Sequence, residues 1–463
     1  MSTMVAPQLL SEAARAATSM AISVGKADIT PAVGAALGGY GVNRPRTATG
    51  TYAPLFARCM VFWDNGFPNV FVTVDVLGFG TRMHQAIRNR VMGLGVGNSD
   101  FVLTATHTHN GPSLAEKLDP YISYAMTPEQ IAAVESYSDW LVDRIVQLVE
   151  ETLLATRQPC VLDYQVATQE FSVNREGLPY VERDVPILVA RDASGDPLAV
   201  LFSYGCHPVA AGSQTLFDPD YPGAAVSAIE GATGAFAQFL LGPAGDQNPS
   251  GSLGWALRDR LGQELGDRVT SAVSTPGRLV SGPIRTSYQS VSLPLDVTLT
   301  PGNLTLVQNA YATRLANTAL PGYCRRHAER MIAQIQSGNI VTSVSLPLQV
   351  WRLTGDPDLR IALVGGEVVS GYGVYFRNTY GGSSRLLFAG YANEVPAYIP
   401  SDELLRKNSS YAAGIDPDFP GIAGGSMTVY NCIGHFRGKP NVSSPDGVEQ
   451  ILTSALRSML DAA

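Results

Sequence analysis

The sequence predicts an α/β fold: a mixed-sheet core with flanking helices, one large domain carrying a small strand-rich excursion. Three observations predict it. Apolar, β-branched runs alternate with helix-period segments along most of the 463 residues. Those runs are punctuated by Gly, Pro and Asn turns. Hydrophobic residues make up 45 % of the chain, enough to bury a sizeable core.

In chain order, residues 1–20 read as an Ala-rich helical extension and 21–463 as the main domain. "NVFVTVDVLGFG" (69–80) reads as a strand entering a turn, 81–95 as a helix and "DFVLTAT" (100–106) as a strand. A long helix follows at 127–156, with Thr127 and Gln130 spaced as a capping box. Strands are expected at 185–192, 198–206 and 236–242, then a helix at 254–273. Over about 288–353 two strand-like stretches flank a helical insert, a hairpin-like or sheet-edge excursion. A last helix is expected at 444–460.

Composition excludes several classes. With 32 Lys and Arg against 40 Asp and Glu, the net charge of −8 offers no footprint for nucleic acid. No apolar run reaches the roughly 18–20 residues of a membrane span, and the N-terminus lacks a signal-peptide pattern. The expectation is a cytoplasmic protein, and the Ala-rich N-terminal helix leaves a homo-oligomer open. Five scattered cysteines with no CxxC pair read as buried reduced thiols, with Cys206 the one positioned to line a site.

Only six histidines occur, and two, His107 and His109, stand one residue apart in "TATHTHNGPS". If the strand stays extended, alternation puts both rings on one side, at a strand end where α/β proteins place ligands. Alone, the pair reads equally well as structural histidines. Other polar residues also fall at strand-to-loop junctions: His207 in "YGCHP", Glu367 at the first turn of a helix, and Tyr398 in a loop. Two His, a carboxylate and a Tyr would suit a four-ligand zinc shell. By spacing alone each also has a structural explanation.

The chain resembles the neutral/alkaline non-lysosomal ceramidase family, zinc amidases that hydrolyse an N-acyl bond. The resemblance runs from residue 24 to about Tyr411 and rests on ordered motifs: "GKADIT", "LFARCMVF", "VTVDVLG", "ATHTHNGP", "VNREG", "GPAGDQNP", "GGEV" and "NEVPAYIP". It implies one zinc per chain, held by His107, His207, Glu367 and Tyr398. His109 is implied to touch the scissile carbonyl or its oxyanion, Arg175 to bind substrate, and Tyr411 to line the pocket and, with His109, to stabilise the oxyanion. Asp75 and Asp220 are expected either to orient ligand imidazoles or to cap loops.

One departure bears on mechanism. The family's Gly-Asp-x-Ser-Pro stretch supplies a serine nucleophile; this chain has "GDQNP", so Asn248 stands in its place. An amide side chain cannot attack a carbonyl in that way. With no serine in register, zinc-activated water is the expected nucleophile. Asp246 is expected to orient water or take its proton, and Asn248 to donate to the acyl oxygen. The sequence also ends without the family's C-terminal module and shows no apolar loop suited to a bilayer. The expected substrate is therefore a small N-acyl compound rather than a long-chain ceramide. Ester, lactone or cyclic-amide hydrolysis by the same ligands stays open, as does an inert binding protein on the same fold. A Ser-His-Asp hydrolase fails for want of a GxSxG elbow.

Overall fold

The computed structural model describes residues 20–40, 45–117, 119–407, 426–427, 429, 431–438 and 447–462. The helical extension expected at 1–20 lies outside these residues, apart from Met20.

The first sheet is built from β1 (Met20–Asp28), β2 (Phe56–Asp64), β3 (Phe67–Val74), β4 (Phe101–Ala105) and β5 (Gln158–Pro159), in the order β4-β3-β2-β1-β5. Only β3 and β4 pair in parallel, and α1 (Thr81–Met92) makes the crossover between them. The long α2 (Pro128–Leu154) starts at Thr127, whose capping box with Gln130 forms as the spacing predicts.

The second sheet has eight strands. In chain order these are β6 (Val161–Thr168), β7 (Asp184–Arg191), β8 (Pro197–Tyr204), β9 (Phe236–Leu241), β10 (Arg278–Pro294), β11 (Ser343–Gly355), β12 (Leu359–Val364) and β13 (Leu386–Ala389). Their spatial order is β9-β8-β7-β6-β10-β11-β12-β13. Here β8–β9 and β12–β13 are the parallel pairs, and α3 (Asp220–Thr233) provides the first crossover.

The two sheets stack face to face. Met60 and Phe62 of β2 and Phe71 of β3 pack with Leu188, Leu201, Trp351 and Leu363 from the second sheet. Alternate residues of the same strands, such as Cys59, Val61, Val70 and Val72, face α2 instead. On the far side, Val200 and Phe202 meet α3 and α4 (Trp255–Val273). Ala362 and Val364 meet α7 (Ser370–Tyr380) and α8 (Val448–Ala462). In the same numbering, α5 (Pro301–Ala316) and α6 (Gly322–Ser337) form the insert between β10 and β11. The mixed-sheet core is thus two sheets between two helical layers, and the unbroken apolar runs reflect strands buried on both faces.

Strands β10 and β11 form a long antiparallel hairpin in the interior of the sheet. Over Tyr288–Pro294 β10 pairs with β11, while β6 meets β10 only at Arg278–Val280 and β12 meets β11 at Leu348–Leu353. Among the described residues no helix is long and apolar enough to cross a membrane. None of the five cysteines forms a disulfide. Cys206 is fully buried in the core beneath α3 and α4.

Candidate metal centre

The parallel pairs direct the site. Chain leaving β4, β8, β9, β12 and β13 carries His107, His207, Asp246, Glu367 and Tyr391 respectively, and strand C-terminal ends are where α/β sheets expose loops to ligands. An isolated bridge between Thr104 and Ala392 ties β4 to the segment after β13, joining the two sheets.

His107 and His109 do not meet by strand alternation. The strand stops at Ala105, and His107 takes a left-handed φ of +64°, uncommon for a residue with a Cβ. Its backbone N–H still donates to Val76 O at 3.0 Å. The turn brings the two rings edge to face, with centroids 5.0 Å apart.

His107 Nδ1 donates to Leu77 O and His207 Nδ1 donates to Ala244 O. These bonds fix the tautomers and turn both Nε2 lone pairs inward. The two Nε2 atoms lie 3.2 Å apart, and His109 Nε2 lies 3.3 Å from that of His107. Glu367 Oε2 is 3.1 Å from His107 Nε2 and 3.7 Å from His207 Nε2. A single proton on His107 Nε2 could serve only one of these three neighbours. Zinc ligands at about 2.0–2.1 Å from the ion stand about 3.3–3.4 Å from one another at tetrahedral corners. The donor atoms therefore have the spacing and chemistry of a divalent-metal shell. Burial, then repulsion from neighbouring positive charge, holds His207 and His109 well below the ordinary histidine range. Both rings stay neutral, as ligation requires.

Glu367 does not lie in a helical turn, as expected, because α7 begins only at Ser370. Glu367–Val368 instead pairs in parallel with Tyr398–Ile399, with Glu367 and Tyr398 in direct register. That pairing lays the Tyr398 ring nearly parallel to His207, centroids 6.4 Å apart, and beneath the Arg175 guanidinium.

Arg175 Nη2 donates to Gly245 O at 2.6 Å and Nη1 to Asn248 Oδ1 at 3.3 Å. The short antiparallel pairing of Ser172–Asn174 with Gln247–Pro249 brings these residues together. Asp246 is buried, and Ser370 N, Ser370 Oγ, Asn174 Nδ2 and Gln247 Nε2 all donate to its carboxylate. That carboxylate anchors the start of α7 to the loop bearing Asn248. Asp75 accepts from Phe56 N and Thr106 Oγ1, and Asp220 from the N–H groups of Ala210, Ala211 and Tyr221. Of the two roles expected for this pair, both have the loop-capping one. Tyr411 lies outside the described residues.

Sequence reasoning missed several residues. Lys117 is buried with Nζ 3.3 Å from Glu367 Oε1; a lone Lys in a loop gave no signal. Arg46 donates to Gly38 O, His109 O and Asn110 Oδ1, clamping the loop that carries His109. Behind the site, Arg88 donates to His84 Nε2 and Asn393 Oδ1, and His84 Nδ1 donates to Glu394 Oε1. This buried network fixes the segment running to Tyr398. Tyr391, whose ring lies 4.5 Å from that of His107, was also missed.

Residues 20–184 match the family model for the N-terminal part of neutral/alkaline non-lysosomal ceramidase. Among solved structures, the chain is similar to a ceramidase complexed with C2, at 21 % identity and a TM-score of 0.65. It is likewise similar to the neutral ceramidase from Pseudomonas aeruginosa, at 20 % identity and a TM-score of 0.65. Each match covers 89 % of this chain and 72 % of the other. No curated protein matches. At these identities the structural likeness establishes the fold, and the sequence likeness to the neutral/alkaline non-lysosomal ceramidase family extends over residues 20–184.

Proposed function

We propose that the chain is a zinc-dependent hydrolase of a C–N amide bond in a small N-acyl compound, with one zinc per chain. The observation that carries this reading is the buried convergence of His107, His207 and Glu367, with donor atoms 3.1–3.7 Å apart. Those three side chains would hold the ion, with Tyr398 completing the set. Zinc in such a site lowers the pKa of water to about 7 and polarises a carbonyl.

The remaining residues divide the work by what already binds them. Unlike His107 and His207, His109 has no acceptor for its Nδ1 among the described residues. Its tautomer is therefore free, which suits contact with the scissile carbonyl and proton exchange over rigid ligation. Asn248 has Oδ1 turned to Arg175, so its amide N–H is the end that can donate to a substrate oxygen. Its nitrogen lone pair is delocalised, which leaves water as the nucleophile. Asp246, committed to four donors, acts as a positioning residue; the general-base role expected from sequence does not suit it. Arg175 suits a substrate carrying a carboxylate or carbonyl, because its planar fork binds such groups in two places.

The test is an assay of zinc-loaded protein against short N-acyl amides, lactams, esters and a long-chain ceramide. The reading predicts turnover of short amides, at least tenfold faster than of the ceramide, and its loss on chelation. Turnover of esters or lactones alone would replace the amide assignment, and turnover indifferent to chelation would overturn the metal role.

A further inference from the structure

Tyr391 is a buried residue at the centre. Its side chain is 1 % exposed, and its hydroxyl has no hydrogen-bond partner among the described residues. Its ring centroid stands 4.5 Å from that of His107 and 6.3 Å from that of His207. An unsatisfied buried hydroxyl is costly and rare in native structures.

The backbone holds this residue where it is. Tyr391 has φ +57° and Asn393 φ +65°, a left-handed conformation that bulky aromatics seldom adopt. Tyr391 N donates to Gly366 O, one residue before Glu367, and Asn393 N donates to Leu103 O in β4. Arg88 and Gln349 grip the Asn393 side chain from behind. A Phe would fill the same space without burying an unpaired oxygen. Among the described residues nothing takes its hydrogen, so the hydroxyl is available to a group that arrives.

We propose that Tyr391 is a catalytic residue whose hydroxyl donates to the acyl oxygen of the substrate as that oxygen gains negative charge beside His107 and His207. This rests on the zinc-hydrolase reading. It differs from the family-implied roles of His109, Tyr398 and Tyr411, because the donor comes from the turn after β13.

Tyr391→Phe tests it with three readouts. Metal analysis is expected to give the same zinc content as the wild type. Acetohydroxamate, whose oxygens stand in for the acyl oxygen, is expected to bind about tenfold more weakly by calorimetry, and kcat is expected to fall about 10²-fold with KM within twofold. The metal-free variant is expected to melt at or slightly above the wild-type temperature, because the substitution removes an unpaired hydroxyl. Unchanged hydroxamate affinity in a variant that holds zinc would overturn the proposal. So would a metal-free variant that is less stable or does not fold, since the hydroxyl would then already have a partner. If wild-type protein holds no zinc, the zinc reading fails instead, and the metal-free melting comparison still decides whether the hydroxyl is unpaired.

Discussion

The Nε2 atoms of His107 and His207 face each other across 3.2 Å, each ring pinned from behind by an Nδ1–H bond to a backbone carbonyl. Two lone pairs held that close in a buried site repel unless a cation lies between them. Glu367 Oε2, also within 3.7 Å of both, has no hydrogen-bond donor of its own among the described residues. The buried histidine cluster could therefore hold a metal ion.

Lys117 and Glu367 make a buried ion pair that supports the carboxylate from the side away from the histidines. Lys117→Met should destabilise metal-free protein by about 3–5 kcal/mol, the usual cost of removing one partner of such a pair. Saturating zinc should narrow that deficit by neutralising Glu367. Urea denaturation with and without zinc checks this; a deficit that zinc leaves untouched would remove Glu367 from the ligand set.

At Gly39, φ is +98°, and an added Cβ would sit 2.7 Å from the Cα, Cβ and Cγ atoms of His109. Gly39→Ala should therefore displace His109 while leaving His107, His207 and Glu367 in place. The expected result is a kcat reduced at least tenfold, an unchanged zinc content and a stability cost of roughly 1–2 kcal/mol. Loss of zinc together with activity would make His109 a ligand.

Asn248→Ser restores the residue type found at this place in the family's motif. With water as nucleophile, kcat/KM should stay the same or fall by up to about tenfold as Arg175 loses its amide partner. Rapid-quench kinetics should show no acyl-enzyme burst. A burst, or a gain above tenfold, would show that the site is built for a side-chain nucleophile.

The pH dependence of stability should carry a signature from His327, which sits on α6 against Tyr311. Burial, then the nearby Arg314, pushes its imidazole down from 6.5 to about 3. The unfolded chain takes up a proton below 6.5, whereas the folded one resists until about 3. Stability is therefore full above 6.5 and declines as pH falls toward 3, by about 2 kcal/mol at pH 5. His327→Gln should flatten urea-denaturation stability between pH 6.5 and 5 by that amount.

Much of this architecture was legible in the sequence. The capping box at Thr127 and Gln130, the ends of β4, β8 and β12, and the placing of His107, His207 and Glu367 at those ends follow from local periodicity. Other features depend on groups distant in the chain. Strands buried on both faces look alike whether one sheet or two encloses them, so the stacking of β2 on β8 was hidden. The left-handed turns at His107 and Tyr391 are imposed by bonds across β3, β4 and β12 and have no local signature. Lys117 became a partner only because its loop folds over Glu367, 250 positions away. Asp246 read as a candidate base because its sequence neighbours do not reveal the donors from Ser370 and Asn174 that occupy it.

Zinc K-edge X-ray absorption on stoichiometrically loaded protein tests the central claim most directly. The account predicts a first shell of four or five nitrogen and oxygen atoms at about 2.0–2.1 Å, with the outer-shell scattering of at least two imidazoles, reduced by one imidazole in His207→Ala. A shell of oxygen alone, or a spectrum that His207→Ala leaves unchanged, would contradict it.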